Sequence, residues 1–120
     1  MKAKARPRRL PGTMNKTEES YHWHLAAAQM AGMIEWFAFE PVKFRLAVNT
    51  SYCPDFMVVN RDGSIEFIEV KGSWKAPHQD DSKVKIKVAA ELYQWATFKS
   101  AEVVPKAKGG GWKMTTFSRE

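Results

Sequence analysis

The chain has 120 residues, of which 44% are hydrophobic and 12% aromatic, enough apolar material for one globular domain. Its net charge is +6, and its single cysteine, Cys53, excludes an internal disulfide and fits a reducing cytoplasm. No segment approaches the roughly 20 apolar residues of a membrane span, and the basic N-terminus lacks the apolar run of a secretory signal. The composition therefore argues against an integral membrane protein.

Most of the net charge lies in a basic segment at the N-terminus. Residues 1–12 hold five basic side chains and no acid, whereas the remainder holds 14 basic and 13 acidic ones. We expect residues 1–12 to form a disordered tail, followed by a single domain over residues 13–120. Arg6, Arg8 and Arg9 are candidates for binding phosphate, and a solvated leader without a fixed role explains them equally well.

The first predicted element is a helix from Asn15 to about Gly32. Asn15 is a favourable N-cap, and Glu18 follows at the spacing of a capping box. Glu18 therefore has two interpretations, as a helix cap or as an acid that reaches a neighbouring site. The helix also has a second apolar face that requires its own partner, formed by Trp23, Ala26, Met30 and Met33.

Four strands are predicted after this helix. Residues 36–40 and 43–48 form the first two, with a break at Pro41. The other two, at 52–59 and 65–70, form a β-hairpin around a turn that contains an Asp-Gly pair. The hairpin strands are apolar on both faces, which is typical of strands buried within a sheet.

The hairpin register brings two acids together. If Val59 faces Ile65, Asp55 lies directly opposite Glu69, with the two Cβ atoms about 5 Å apart. A register shifted by one residue, which depends on the turn type, makes the two acids near neighbours instead. Lys71 shares a face with Glu69 because side chains alternate along a strand. Two carboxylates at this distance repel each other unless a cation lies between them, and oxygen ligands suit Mg²⁺ or Mn²⁺. The alternative interpretation is a solvated outer face of an ordinary hairpin.

A second helix is predicted to follow a loop at 72–80 and to end at about Tyr93. Asp80, Asp81 or Ser82 is expected to cap it. The expected apolar face consists of Val84, Val88 and Leu92.

Two further strands are predicted at 98–104 and 112–117, joined by a basic glycine loop at 106–111. The elements predict an α/β (α+β) fold with a mixed central sheet flanked by helices. The loop glycines let the backbone approach a phosphate, although a flexible turn explains them as well. Lysines that are candidates for DNA contacts, or for a solvated charged surface, are Lys75, Lys83, Lys85, Lys87, Lys106 and Lys108.

Several short motifs carry a family resemblance. The motifs are Tyr52-x-Pro54-Asp55-Phe56, Phe67-Ile68-Glu69-Val70-Lys71-Gly72-x-Trp74 and Asp80-Asp81-Ser82-Lys83, preceded by Glu18 on the first helix. In this order they resemble the PD-(D/E)xK nuclease superfamily, most of all the phage endonuclease I type of Holliday-junction resolvase and a related family of small phage nuclease-like proteins. The resemblance extends over about residues 14–117. It implies a restriction-endonuclease-like core, Mg²⁺-dependent cleavage of branched DNA, a homodimer, and the cytoplasm of a host cell.

The resemblance also implies a role for each matching residue. Asp55 corresponds to the central metal ligand and Glu69 to the second ligand, with the carbonyl of Val70 beside them. Lys71 corresponds to the group that holds the attacking water or the reacting phosphate. Glu18 corresponds to an additional acid from the first helix. Mn²⁺ is expected to substitute for Mg²⁺.

Other functions remain open at this stage. One is a nicking or nonspecific nuclease that acts on linear or single-stranded DNA. Another is a catalytically inactive DNA-binding protein with the same fold. A third is an RNA-directed or replication-accessory interaction module in which the basic tail is the functional part, so that deleting residues 1–12 would remove function.

Overall fold

The computed structural model describes residues 12–73 and 80–118. The predicted tail at 1–12, apart from Gly12, and most of the predicted loop at 72–80 therefore lie outside the described residues. The elements, in chain order, are α1 (Lys16–Met30), β1 (Ile34–Phe39), β2 (Phe44–Ala47), β3 (Thr50–Tyr52), β4 (Phe56–Asn60), β5 (Ile65–Lys71), α2 (Asp80–Leu92), β6 (Thr97–Val103), a short 3-10 helix (Lys106–Lys108) and β7 (Trp112–Phe117).

The core is a mixed five-stranded sheet in the order β1-β4-β5-β6-β7. Strands β5 and β6 are parallel, and the other neighbours in the sheet are antiparallel. Helix α2 connects β5 to β6, since parallel neighbours require a crossover connection. Strands β2 and β3 form a separate hairpin. The predicted α+β fold with a mixed central sheet and flanking helices is confirmed.

The sheet has two buried faces. On the first, which we call the α1 face, Tyr21 and Leu25 of the helix pack against Phe56, Ile68 and other sheet residues. On the second, the α2 face, helix α2 and the β2–β3 hairpin cover an aromatic cluster of the sheet. Because side chains alternate along a strand, the strands β4, β5, β6 and β7 contribute to both clusters. This explains why the strands are apolar on both sides.

Helix α1 begins as the sequence predicts. Asn15 accepts a hydrogen bond from the Glu18 N–H at 2.8 Å, and Glu18 Oε1 accepts one from the Asn15 N–H at 2.9 Å, which together form a capping box. The helix ends just before Gly32, whose φ of +76° is left-handed and favours glycine. Its second apolar face is largely exposed, with Met30 at 91% and Trp23 at 64% exposure.

Two predictions about the strands and α2 are wrong. The expected strand at 52–59 is divided, because β3 ends at Tyr52 and β4 begins at Phe56 after a bend that contains Pro54. The expected cap residues of α2 lie within its first turn, because the helix already begins at Asp80.

The buried face of α2 also differs from the prediction. Val84 and Leu92 are exposed, and the buried residues are instead Ile86, Ala89 and Ala90. The two alanines let the helix approach the sheet closely, and Ile86 fills the remaining space in the aromatic cluster. The sequence does not identify the buried stripe of α2, because more than one set of its apolar residues has helical spacing.

Candidate active site

The hairpin of β4 and β5 has the predicted register. Val59 pairs with Ile65, and the pairing continues in step to Phe56 and Ile68. Asp55 immediately precedes β4, so the next step along this register brings it to the level of Glu69. The predicted approach of the two acids therefore follows from the observed pairing.

Asp55 is fixed over the end of β5 through main-chain contacts. Its Oδ2 accepts a hydrogen bond from the Val70 N–H at 2.8 Å, and its carbonyl accepts one from the Glu40 N–H at 2.8 Å. The bend after Pro54 ends the preceding strand and turns the chain into β4. A carboxyl held by a main-chain donor has little freedom to turn away, which suits a residue that must present oxygens in one direction.

Glu69 is held by donors on both of its oxygens. Tyr52 donates to Oε1 at 2.9 Å, and the Lys71 ammonium lies 3.3 Å from Oε2. Lys71 in turn donates to Ser82 Oγ at 3.2 Å, which connects β5 to the first turn of α2. Burial and the neighbouring Glu69 raise the pKa of Tyr52, so its hydroxyl remains a donor. Strand β3, strand β5 and helix α2 together set the orientation of Glu69.

Glu18 forms the predicted capping box and also lies close to the two other acids. It forms the capping box with Asn15, and only 5% of its surface is exposed. Its carboxyl is also hydrogen-bonded to the carboxyl of Asp55 and lies close enough to Glu69 to raise the pKa of both. The start of α1 therefore brings a third acid to the end of the hairpin.

Burial and neighbouring acids raise the pKa values of Asp55 and Glu69. Asp55 and Glu69 are 7% and 8% exposed, respectively. Burial, followed by repulsion from Glu69, raises the pKa of Asp55 to about 9. Burial also raises the pKa of Glu69, although the Lys71 ammonium opposes part of this effect. Acids that share a buried site are stabilised by added positive charge.

The donor set fits a hard divalent cation. Across residues 12–73 and 80–118, no group of three or more His, Cys, Asp or Glu side chains is arranged to hold a metal ion by itself. The fit therefore rests on donor chemistry, namely carboxylate oxygens from Asp55, Glu69 and Glu18 and the carbonyl of Val70. Ser100 pairs with Glu69 across β5 and β6, and its buried Oγ has no hydrogen-bond partner among the described residues. It supplies one more oxygen beside the acids.

One end of the sheet collects these groups. The acids, the first turn of α1, the first turn of α2 and the loop between β6 and β7 all lie at the end of β5 where Lys71 pairs with Glu102. The turn of the β4–β5 hairpin lies at the opposite end, where Arg61 binds the Gly32 carbonyl beyond the last turn of α1. A substrate at the acidic end can therefore contact residues from all these segments.

The other predicted DNA contacts are distributed over separate surfaces. Lys83 and Lys87 are four residues apart and share one side of α2, whereas Lys85 lies on another side. Lys106 and Lys108 are exposed in the 3-10 helix near the acidic end. The remaining candidates lie outside the described residues, and they are Lys75, Arg6, Arg8 and Arg9.

The sequence interpretation missed functions for several residues. Tyr52 was part of a quoted motif, but its contact with Glu69 depends on the fold of β3 over the sheet. Ser82 was expected to be a cap, and it instead binds Lys71. Its place in the Asp-Asp-Ser-Lys motif was the only signal in the sequence. Ser100 gave no signal, because a single serine in an apolar strand is common.

Comparisons with known proteins add little to these observations. No protein-family model and no curated protein matches the chain. The solved structure described as "Crystal structure of SSO0001" is similar over 85% of this chain, with 14% sequence identity and a TM-score of 0.44. This chain covers 52% of that protein, or about half of its length.

Proposed function

We propose that this protein is a divalent-metal-dependent endonuclease that hydrolyses phosphodiester bonds in branched DNA, with four-way junctions as substrate. The observation that carries the proposal is the convergence of Asp55, Glu69 and Glu18 beside the Lys71 ammonium. Buried acids with raised pKa values reduce the stability of the metal-free fold, and such groups are concentrated where a protein uses them. A cation site for phosphate chemistry gives them that use.

Metal binding would involve Asp55, Glu69 and the Val70 carbonyl, with Glu18 at the edge of the site. When bound, Mg²⁺ or Mn²⁺ supplies positive charge to the phosphate oxygens and lowers the pKa of a water molecule. The protein side chains provide orientation. Asp55 is held by the Val70 N–H at 2.8 Å, and Glu69 by Tyr52 at 2.9 Å.

Lys71 would act directly on the reacting groups. Its ammonium is held between Glu69 and Ser82, at 3.3 Å and 3.2 Å, so it can donate to a phosphate oxygen or to the attacking water. As the water attacks phosphorus, the bond to the leaving sugar oxygen breaks and negative charge increases on the phosphate. A fixed ammonium stabilises that charge more than it stabilises the ground state.

Dimerisation follows from the proposed substrate, because a four-way junction is resolved by two matched cuts. The exposed apolar face of α1 and the edge strand β1 are the proposed interface. Trp23 of α1, Met33 just after it and Trp36 of β1 are 64%, 69% and 45% exposed, respectively. Large apolar side chains that remain exposed in one subunit are candidates for an interface. The twofold arrangement would place two acidic sites on one junction.

The test is a cleavage panel with a four-way junction, a linear duplex and a single strand, each incubated in Mg²⁺ with and without EDTA. Glu69→Gln is the active-site variant, and Glu66→Gln is its matched control, since Glu66 lies on the same strand and pairs with Lys99 at 2.6 Å. We expect paired cuts in the junction, which are abolished by EDTA and by Glu69→Gln but not by Glu66→Gln.

Other outcomes would separate the alternatives. Equal cutting of all three DNA forms would replace the junction substrate with a nonspecific nuclease activity. Absence of cutting, together with absence of Mn²⁺ binding at millimolar concentration in a calorimetric titration, would leave a DNA-binding protein without catalysis. Wild-type cutting by Glu69→Gln would show that the acidic site is not the active site.

A further inference from the structure

A groove beside the acidic site has no role in the mechanism above. It lies between the start of α1 and the loop that joins β6 to β7, and its volume is about 380 Å³. One wall contains Lys16, Thr17 and Ser20 of α1, and the opposite side contains Lys106. Its apolar lining includes Val103 and Trp112.

The lining of the groove has a polar, positively charged part and an aromatic part. Lys16 and Lys106 provide positive charge, and Thr17 and Ser20 provide hydroxyl groups. No acidic residue lines the groove among residues 12–73 and 80–118. The indole of Trp112 provides an aromatic surface. A ligand that matches both parts has an anionic group and a flat, largely apolar group, as a nucleotide does. Lysines contact DNA phosphates, and aromatic side chains stack on unpaired bases.

The glycine loop gives the ligand access to the main chain. Gly110 and Gly111 line the groove with φ values of +70° and +81°. Residues other than glycine rarely adopt this backbone conformation. A Cβ atom at either position would meet nothing within 4 Å, so the backbone borders open space. The predicted approach of this loop to a phosphate is consistent with this geometry.

The groove is adjacent to the acids through α1. Thr17 precedes Glu18 directly, and Ser20 follows within the same turn, so the groove and the acidic site lie on different sides of one helical turn. Trp112 contacts Tyr21 edge-on, with a centroid distance of 4.9 Å. Tyr21 also packs against Phe56, which follows Asp55 in the chain. The groove and the acids therefore border the same end of α1.

We propose that this groove binds one unpaired nucleotide of the DNA strand that occupies the acidic site, a role that rests on the proposed function. Lys16 and Lys106 hold the phosphate, and Trp112 contacts the base. A base in an intact duplex is stacked between its neighbours and does not reach such a groove. The protein therefore favours DNA with an unpaired nucleotide near the cut, such as a branch point or a gap, over a fully paired duplex.

Binding of oligonucleotides in EDTA tests this proposal without any cleavage. Two DNA duplexes are compared, one fully paired and one with a single unpaired 2-aminopurine nucleotide, whose fluorescence reports stacking on an aromatic ring. We expect the wild-type full-length chain to quench the probe and to prefer the unpaired substrate. Lys106→Ala and Lys16→Ala each reduce this preference by about fivefold, since each removes a contact with the phosphate of the unpaired nucleotide, which the paired duplex does not place in the groove.

The matched control is Lys108→Ala, in the same 3-10 helix as Lys106 but not among the residues that line the groove. It is expected to weaken the binding of both DNAs equally and to leave the preference unchanged. Trp112→Leu removes the quenching, and a circular dichroism spectrum checks its fold. The charge variants do not depend on that check, because both lysines are exposed.

The results also separate the two proposals. An unchanged preference in Lys106→Ala and Lys16→Ala, or wild-type probe fluorescence that is insensitive to the protein, overturns the groove assignment even if the protein cuts DNA. Quenching and preference that depend on the lysines support the groove even if no DNA is cut, and in that case only the nuclease proposal fails.

Discussion

Each end of the β4–β5 hairpin has an aspartate, and the two aspartates lie in opposite environments. At the turn, Asp62 is exposed and accepts hydrogen bonds from the Ser64 hydroxyl at 2.6 Å and the Ser64 N–H at 2.9 Å, and its pKa is lowered. At the open end, Asp55 is buried beside Glu69 and Glu18, and its pKa is raised. The hydrogen bonds of Asp62 come from its own turn, whereas the neighbours of Asp55 come from distant parts of the chain.

This difference separates a structural acid, Asp62, from the candidate catalytic acid, Asp55. Asp62 stabilises its turn through local hydrogen bonds, as aspartate commonly does. Asp55 makes the metal-free fold less stable, because a carboxyl loses solvation on burial and the nearby acids repel it. Acids are usually kept in solvent and apart from one another, but at the open end of the hairpin they are buried together. Such departures from the usual rules are expected at functional sites.

The largest expected effect comes from exchanging each aspartate for asparagine. Asp55→Asn should slow junction cleavage by roughly a thousandfold or more, because about 4 kcal/mol of charge stabilisation in the transition state is lost. Asp62→Asn should cleave within about twofold of wild type, because exposed turn residues away from the site have small effects. Single-turnover assays in Mg²⁺ compare the two, and binding to junction DNA should survive in both.

That comparison fails if the two variants lose activity to the same extent. It also fails if Asp55→Asn loses junction binding together with its thermal unfolding transition, because the activity loss would then reflect unfolding.

Lys71→Ala is expected to have the next largest effect, a decrease in the cleavage rate of about a hundredfold, as is typical when one donor to the developing charge is lost. Calorimetric titration with Mn²⁺ should show binding close to that of wild type, because the acids remain. Lys99→Ala is the control, since Lys99 makes a comparable ion pair with Glu66 at 2.6 Å on the same sheet. Similar cleavage rates in the two variants would argue against a catalytic role for Lys71.

Tyr52→Phe should decrease the cleavage rate by about tenfold and weaken Mn²⁺ binding. The variant leaves one oxygen of buried Glu69 without its donor, a loss worth about 1–3 kcal/mol. Tyr93→Phe is the matched control, because that hydroxyl donates to the Arg45 carbonyl away from the acids. Both variants should lose some thermal stability, but only Tyr52→Phe should alter cleavage and metal affinity. Equal kinetics in the two variants would limit Tyr52 to a structural role.

The last prediction concerns how protein stability in EDTA depends on pH. Because the folded-state pKa of Asp55 is raised to about 9, the folded protein binds more protons than the unfolded chain above about pH 4, and stability should fall as pH rises through this window. The contribution of Asp62 to the pH dependence of stability has the opposite sign, since its lowered pKa adds stability that is lost as pH falls below about 4.

Thermal unfolding measured from pH 4 to 9 checks these signs. Asp55→Asn should flatten the loss of stability toward high pH, and Asp62→Asn should leave it in place. A wild-type transition temperature that rises steadily over this range would contradict the assignment of Asp55 as a buried, repelled acid.

Much of the fold could be predicted from the sequence because the patterns that specify its elements are local. The capping box of Asn15 and Glu18, the Asp-Gly turn and the alternation around Val59 and Ile65 act within a few residues, so short stretches of sequence predict α1 and the register of the hairpin. The register in turn brought Asp55 to the level of Glu69. The buried face of α2 was not readable, because Ile86 competes with other apolar residues at equivalent spacing.

The sequence by itself therefore determined the hairpin, the first helix and the meeting of two acids, all of which depend on short-range geometry. Only the tertiary structure decided that Tyr52 and Ser82 would hold Glu69 and Lys71 in place, and that Lys16 would face Lys106 across a groove. Those contacts join elements that are distant in the chain. They depend on how helices and strands pack against the sheet, which no local pattern specifies.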